Sequence, residues 1–202
     1  MPLFPVDSNI NLLPCDGIVY YYDSVLSPHV SDFYLQKLLH HIEWKHDEVV
    51  LFGRHITTKR KTAWYAGNNI PYTYSNITRQ ALPWTKELLE LKQLAATITG
   101  ENFNSCLLNL YHNGEEGMSW HADDESSIVA HSAIASFSFG AERKFCFKHK
   151  RTTETVSLML SPGSLLLMKG ATQNNWLHSL PKTKKITAPR INLTFRKMVE
   201  PC

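Results

Sequence analysis

The sequence has 202 residues, of which 43% are hydrophobic, and a formal net charge of +3 at pH 7. This length and composition allow one domain with a sizeable core, which needs neither metal nor disulfide support to fold. The modest positive charge permits nucleic-acid binding without demanding it.

The cysteines and the apolar runs exclude several further classes of protein. Cys15, Cys106, Cys146 and Cys202 lie far apart with no CxxC pair, so neither a zinc cluster nor a disulfide framework is indicated. No run of 18 apolar residues occurs, and residues 1–14 lack the basic and apolar regions of a secretory signal. We therefore expect an intracellular protein that does not bind a membrane.

Two helices are predicted in the first half of the chain. Residues 28–44 have leucines at helical spacing, and Ser27 can cap the first turn. Residues 84–99 carry a second apolar stripe, which Gly100 can end. Both stripes are expected to pack against a core.

Between the two helices, residues 51–75 interleave aromatic and basic side chains. Such a segment offers stacking faces and phosphate-binding charges, and its turn residues predict hairpins. Ordinary packing within a hairpin is the alternative interpretation of the aromatic residues. The motifs are Phe52-Gly53-Arg54, Lys59-Arg60-Lys61, Trp64-Tyr65 and Tyr72-Thr73-Tyr74.

The second half of the chain is predicted to be strands, at residues 107–111, 134–139, 144–148, 155–160, 164–168 and 190–197. This order predicts a mainly β protein with flanking helices. Its core would be a double-stranded β-helix, the cupin-like jelly roll with an open mouth. Residues 1–17 would form an N-terminal extension and residues 18–202 a single domain, with the core at about residues 102–198.

The last predicted strand alternates strictly between apolar and polar residues. Ile191, Leu193 and Phe195 face one way, and the opposite face carries Arg190, Asn192, Thr194 and Arg196. A guanidinium can hold a carboxylate through two parallel hydrogen bonds, so this face would suit a dicarboxylate co-substrate. A solvated outer face of the sheet is the alternative.

A second polar face is predicted on residues 105–111. Asn109 and Tyr111 point together, while Leu108 and Leu110 point to the other side. Residues 113–117 read as a hairpin turn that would return the chain beside this strand. That hairpin would bring Asn109 and Tyr111 close to the residues around His121.

His121 and Asp123 are candidate metal ligands. On a strand, side chains two residues apart leave the same face, so this pair can hold one ion. The more distant His178 would complete a set of two histidines and one carboxylate. Such a set leaves open positions and suits Fe(II) oxygen chemistry better than a structural zinc site.

Several motifs together resemble the AlkB family of Fe(II)- and 2-oxoglutarate-dependent nucleic-acid dealkylases. The resemblance covers about residues 18–198. It is carried by Asn109-Leu110-Tyr111, Trp120-His121-Ala122-Asp123-Asp124-Glu125, Ser136-Phe137-Ser138-Phe139-Gly140 and Arg190-Ile191-Asn192-Leu193-Thr194-Phe195-Arg196. Their shared order and spacing make the resemblance more specific than any one motif.

The resemblance implies roles for the site residues. The iron would be held by His121, Asp123 and His178. The 2-oxoglutarate pocket would be lined by Asn109, Tyr111, Arg190, Asn192, Thr194 and Arg196. Either Arg190 or Arg196 would take the far carboxylate.

The resemblance also implies that residues 50–80 form a nucleotide-recognition lid. Leu51-Phe52-Gly53 resembles the wedge of members that extrude a base from duplex DNA. Tyr72 and Tyr74 would contact the flipped base together with His121. Its edge would bond to Asp124 and Glu125, and the nucleic-acid backbone to Arg54 and Arg60.

The expected activity is DNA alkylation repair by a monomeric dioxygenase. With Fe(II), 2-oxoglutarate and O2, it would demethylate bases such as N1-methyladenine and N3-methylcytosine, releasing formaldehyde, succinate and CO2. The compartment would be the cytoplasm of a bacterium or the nucleus of a eukaryote. The alternatives are an RNA dealkylase, which Thr62-Ala63-Trp64-Tyr65 also resembles, a hydroxylase of a protein or small molecule, and a non-catalytic nucleic-acid-binding module.

Overall fold

The computed structural model describes residues 10–51, 54–67, 70, 72–74 and 77–200. The helices among these residues are α1 (Pro28–His41), α2 (Lys86–Thr99) and α3 (Thr172–Asn175). The strands are β1 (Ile18–Tyr22), β2 (Lys45–Leu51), β3 (Arg54–Ala66), β4 (Tyr72–Tyr74), β5 (Ile77–Arg79), β6 (Ser105–Tyr111), β7 (Met118–His121), β8 (Ile134–Gly140), β9 (Arg143–His149), β10 (Thr155–Leu160), β11 (Ser164–Lys169), β12 (Trp176–Leu180) and β13 (Arg190–Arg196).

Two antiparallel sheets form the predicted jelly roll. The larger sheet has the order β1-β11-β8-β13-β6-β3-β2, and the smaller sheet has the order β10-β9-β12-β7. Strands β4 and β5 pair separately. One buried cluster joins the two sheets, since it combines Val19 and Leu166 of the larger sheet with Phe147 and Trp176 of the smaller one. The mainly β fold with flanking helices is therefore confirmed.

The helices cover the other face of the larger sheet. Leu38 of α1 and Leu88 and Leu91 of α2 are buried in one cluster with Phe137 of β8 and Phe195 of β13. Burying these side chains removes apolar surface from water on both elements, which favours this packing. Within the described part of the chain, no helix is long and apolar enough to cross a membrane.

The helix boundaries follow their caps. The Thr85 side chain accepts a hydrogen bond from the Leu88 amide, and Gly100 ends α2 in the left-handed conformation with φ of 71°. The predicted start at residue 84 is therefore two residues early. Helix α1 ends at His41, so the predicted end at residue 44 is wrong. The Trp44 indole instead donates to the Leu38 carbonyl oxygen at 3.0 Å, which folds the chain back over the last turn.

The six predicted strands are present, but the predicted hairpin between β6 and β7 is wrong. Strand β6 pairs with β3 and β13 in the larger sheet. Strand β7 pairs with β12 in the smaller sheet. The intervening loop therefore crosses from one sheet to the other, so that β6 and β7 face each other across the interior. Strands β1 and β12 were not predicted.

Arg143 anchors that crossing loop. Its side chain is 1% exposed. Its guanidinium donates to the backbone oxygens of Asn113, Gly114, Glu116 and Pro181 at 2.9–3.3 Å. A Cβ at Gly114 would lie 2.3 Å from the Thr183 carbonyl oxygen, so glycine is required for this close approach. The buried arginine thus joins two loops beside the interior cavity.

Trp64 and Tyr65 are core residues of β3. Each is 2% exposed, and the Trp64 indole donates to the Ile70 carbonyl oxygen at 3.0 Å. The packing interpretation is therefore the correct one for these two aromatic residues.

Candidate metal centre

Three metal-binding side chains meet at a cavity lined by both sheets. His121 ends β7, and His178 lies directly opposite it in β12, with ring centroids 4.2 Å apart. The Asp123 Oδ1 atom is 3.8 Å from His121 Nε2. One ligand atom from each of the three residues lies within 4.8 Å of the others, which is close enough to hold one ion. The structure thus brings together the predicted set of two imidazoles and one carboxylate.

Asp123 reaches this position by a route that the sequence pattern did not predict. Strand β7 ends at His121, so Asp123 lies beyond the strand and the two-residue alternation does not place it. Its backbone amide instead donates to the Gln173 Oε1 atom at 2.9 Å. A residue of α3, fifty positions later, therefore takes the place of a strand partner.

Burial and neighbouring charges favour the ionised form of the Asp123 carboxylate and the neutral form of the His178 imidazole. Burial alone would raise the pKa of Asp123, but Arg196, His178 and His121 outweigh it and lower the pKa to about 2. The Arg196 Nη2 atom lies 2.7 Å from Asp123 Oδ2. Burial and the neighbouring His121 lower the pKa of His178 to about 3. At neutral pH the site therefore offers an ionised carboxylate and a neutral imidazole, which are the forms that bind a metal.

The polar face of β13 lines the same cavity, as the alternation predicted. Arg190 lies opposite Tyr111, and Asn192 lies opposite Asn109, in the pairing with β6. The cavity-lining residues of these two strands are Leu107, Asn109, Tyr111, Arg190, Asn192, Thr194 and Arg196. On the other face of β13, Ile191, Leu193 and Phe195 are fully buried in the core beneath the helices. The solvated alternative for the polar face is therefore wrong.

Two serines of β8 hold this polar row in place. Arg190 Nη2 donates to Ser138 Oγ at 2.9 Å, and Asn192 Nδ2 donates to Ser136 Oγ at 2.6 Å. Thr194 Oγ1 donates to Asn192 Oδ1 at 3.0 Å. Because the row is hydrogen-bonded on its β8 side, its side chains are oriented before any ligand arrives.

Arg190 is the cation that fits a bound dicarboxylate. It is 3% exposed, and burial lowers its pKa to about 10. Its Nε atom has no hydrogen-bond partner among the described residues, and no described carboxylate pairs with it. An unpaired buried guanidinium is costly, so an anion at this end of the cavity would stabilise it. Arg196 differs, because Asp123 already pairs with it.

Other cavity residues were missed by the sequence reasoning. Phe145 of β9 stacks on the His178 ring, with centroids 5.5 Å apart and planes 27° apart. The remaining apolar wall comprises Met118, Met168 and Leu180. Single apolar residues in strands carry no sequence signal that separates a cavity wall from a core. Ser136 and Ser138 belong to the motif Ser136-Phe137-Ser138-Phe139-Gly140, but nothing in the sequence pattern indicated a role for either serine.

The residues predicted to contact the substrate lie in different places. Arg60 is 7% exposed and lines the cavity, with Nη1 2.7 Å from Met118 Sδ. Asp124 and Glu125 instead line a neighbouring depression that borders Asp123. The Asp124 carboxylate is largely exposed and lies 3.4 Å from Lys150 Nζ.

The lid residues are only partly described. Phe52 and Gly53 lie outside the described residues. Arg54 begins β3, and Tyr72 and Tyr74 are the two ends of β4. Their contacts with a base or with the nucleic-acid backbone stay predictions.

Comparison with known proteins identifies the family. The sequence model of the 2OG-Fe(II) oxygenase superfamily matches residues 18–196. The chain belongs to this superfamily. Fe(II) and 2-oxoglutarate are therefore its metal and co-substrate, and the three-ligand group beside Arg190 and Arg196 suits them.

Within this superfamily, the chain is similar to individual proteins that are named as alkB homologues. The chain is 42% identical over 159 residues to the DNA oxidative demethylase ALKBH2 of Bos taurus, covering 75% of this chain and 57% of the relative. It is 40% identical over 176 residues to the human alpha-ketoglutarate-dependent dioxygenase alkB homolog 3, covering 82% of this chain and 61% of the relative. The chain thus spans about three-fifths of the length of these relatives. The solved structure of OsALKBH1 shares the fold, with a TM-score of 0.62, 13% identity and coverage of 89% of this chain and 97% of that one.

We predict that Arg190→Met weakens 2-oxoglutarate binding without affecting the metal. Losing the buried cation should raise the half-saturating 2-oxoglutarate concentration at least about 30-fold, while Mn²⁺ affinity stays within about threefold. Isothermal titration of the Mn²⁺-loaded protein measures both. The exposed Arg151→Met is the matched control and should bind normally. Unchanged 2-oxoglutarate affinity in Arg190→Met would contradict the assignment.

The low pKa of His178 predicts how the metal-free protein responds to acid. Because the folded-state pKa of about 3 lies below the ordinary 6.5, protonation favours the unfolded chain, and stability falls as pH drops below 6.5. His178→Gln lacks this penalty. Between about pH 7.5 and about pH 5, it should therefore lose about 2 kcal/mol less unfolding free energy than the parent. Urea unfolding at both pH values measures this, and His29→Gln, exposed on α1, should behave like the parent. An equal pH dependence in His178→Gln would count against the buried neutral imidazole.

Proposed function

We propose that the chain is a DNA oxidative demethylase that removes small alkyl groups from ring nitrogens of bases such as N1-methyladenine and N3-methylcytosine. The observation that carries the proposal is the meeting of His121, Asp123 and His178 with the polar face of β13 in one cavity. Its relatives named DNA oxidative demethylase support the choice of substrate. We further propose that it acts as a monomer on nucleic acid inside the cell, in bacterial cytoplasm or a eukaryotic nucleus.

In this proposal His121, Asp123 and His178 would hold Fe(II), with 2-oxoglutarate and O2 as co-substrates. With 2-oxoglutarate and O2, the bound iron would supply the oxidation of one alkyl C–H bond to an alcohol, and 2-oxoglutarate would be converted to succinate and CO2. The chain keeps Asp123 ionised through Arg196 and keeps His178 neutral through burial. Both ligands are therefore ready to bind at neutral pH.

The remaining residues of the cavity orient the co-substrate. Arg190 would take the far carboxylate of 2-oxoglutarate, with its Nη2 held by Ser138 and its guanidinium 5.7 Å above the Tyr111 ring. Asn109, Asn192 and Thr194 line the space between Arg190 and the metal ligands. Holding the co-substrate at its far carboxylate would orient its keto acid for reaction, which would lower the entropic cost of reaction.

The methyl group leaves without help from a nucleophile of the protein. Hydroxylation of an N-methyl group would give an N-hydroxymethyl group. Its C–N bond would break with the electron pair returning to the base nitrogen, so that formaldehyde is released and the hydroxyl proton passes to water. The chain's task is therefore to place the base. We propose Tyr72, Tyr74, Asp124 and Glu125 for this task, with Arg54 against the nucleic-acid backbone and Phe52-Gly53 filling the gap in a duplex. Arg60 is buried in the cavity wall, so we propose that it faces the substrate from inside the cavity and not from the surface.

The proposal is tested by formaldehyde and succinate release from one N1-methyladenine oligonucleotide sequence prepared as single-stranded DNA, duplex DNA and RNA. We expect release from DNA, and His121→Ala should reduce it at least about 100-fold because a ligand is lost. His29→Ala, an exposed position of α1 away from the cavity, is the matched control. Release from duplex DNA would also support the Phe52 wedge. Release from RNA alone would replace DNA by RNA as substrate, and succinate without formaldehyde from any strand would indicate a hydroxylase of another molecule.

A further inference from the structure

We propose that Gln173 is a positioning residue for Asp123 and thereby sets how tightly the iron is held. The proposal rests on the proposed function in one respect, namely that Asp123 is a metal ligand. It assigns a role to a side chain of α3 that is not itself a metal ligand.

Asp123 lies beyond the end of its strand. Strand β7 ends at His121, where the last ladder pair joins it to His178. Beyond that point the Asp123 amide has no strand partner, and it is part-buried beside a 6% exposed side chain. A backbone N–H in such a place needs an acceptor, because a buried donor without a partner destabilises the fold. The Gln173 Oε1 atom supplies that acceptor at 2.9 Å.

Gln173 lies in the short helix α3, which hydrogen bonds fix to neighbouring elements. Its neighbour Thr172 is 1% exposed, accepts a hydrogen bond from the Ile18 amide at 2.8 Å and donates to the Lys169 carbonyl oxygen at 2.7 Å. The Gln173 Nε2 atom lies 3.5 Å from Met168 Sδ of β11. The short helix α3 leads directly into β12, which carries His178. Gln173 therefore connects the backbone of one ligand to the element that precedes another.

The main chain and the side chain of Asp123 are fixed by different residues. Arg196 holds the carboxylate at Oδ2, 2.7 Å away, and Gln173 holds the backbone amide. With Gln173 removed, the carboxylate keeps its ion pair but the main chain that carries it can turn. Residues that orient a metal ligand typically contribute about 10- to 100-fold to metal affinity.

The same residue also connects to the neighbouring depression. Lys150 Nζ donates to the Gln173 carbonyl oxygen at 2.8 Å and lies 3.4 Å from Asp124 Oδ2. This contact uses the backbone of residue 173, so it survives a change of the side chain. A side-chain variant consequently tests the Asp123 contact while leaving the Lys150 contact in place.

The test is the affinity of the metal-free protein for Mn²⁺, measured by the electron paramagnetic resonance signal of free Mn²⁺ without 2-oxoglutarate or nucleic acid. Gln173→Leu should weaken binding about 10-fold or more, because the acceptor is lost. Gln173→Glu keeps an oxygen acceptor and should bind within about threefold of the parent or more tightly. Asn174→Leu makes the same amide-to-leucine change at an exposed position of the same helix and should bind normally. The visible absorption bands of the Co²⁺-loaded proteins should shift only in Gln173→Leu, because these bands report ligand geometry.

Asp123→Ala separates the two proposals. If Asp123→Ala leaves Mn²⁺ affinity unchanged, the metal site itself is wrong. If Asp123→Ala abolishes binding and Gln173→Leu binds like the parent, only the role of Gln173 is overturned. Equal losses in Gln173→Leu and Gln173→Glu would also overturn it, because the acceptor would not be the cause. Should Gln173→Leu fail to fold, Gln173→Ser, which is polar but too short to reach Asp123, tests the same loss.

Discussion

The buried ion pair between Arg196 and Asp123 is the interaction on which the site depends. The two side chains are 3% and 6% exposed, and their nearest atoms are 2.7 Å apart. Two charges removed from water are stable only while they remain paired, so loss of either partner would leave a costly buried charge. The same burial that would disfavour the carboxylate alone keeps His178 neutral. One environment therefore yields both protonation states that a metal requires, because the arginine acts on the carboxylate and burial acts on the imidazole.

The stability of the fold and the placement of the polar row are linked through β13. Ile191, Leu193 and Phe195 are fully buried on one face of this strand, and the two arginines occupy the other. A slip of one residue would exchange the faces and place both guanidiniums in the apolar core, so the register is strongly fixed. Hydrogen bonds from Arg190 and Asn192 to the serines of β8 then orient the polar side chains. The core beneath the helices thereby keeps the polar side chains that line the cavity in register.

Local patterns predicted those parts of the structure whose cause is local. The alternation of β13 and β6 predicted both of their faces, and Gly100 predicted the end of α2, whereas the start of α2 was predicted two residues early. The predicted hairpin between β6 and β7 failed because turn residues report a change of direction and not which sheet receives the next strand. The predicted end of α1 was wrong because the Trp44 indole donates to the Leu38 carbonyl oxygen, so Trp44 does not continue the helix.

The contacts that complete the site join residues far apart in the chain. Gln173 meets Asp123 across fifty positions, and Arg143 meets Pro181 across thirty-eight. Neither residue type nor spacing in the sequence predicts such a contact. The sequence therefore indicated the candidate ligands but not the residues that position them. The candidate metal ligands and the arginines could be selected from the sequence because their chemistry is restricted to a few residue types, whereas glutamine and serine perform many roles.

A crystal structure of the protein with Mn²⁺ and 2-oxoglutarate tests the central claim most directly. The account predicts the ion bound by His121, Asp123 and His178, the far carboxylate of 2-oxoglutarate paired with Arg190, and Arg196 still bonded to Asp123. An ion held by other residues, or a far carboxylate paired with Arg196 after Asp123 has moved away, would contradict it.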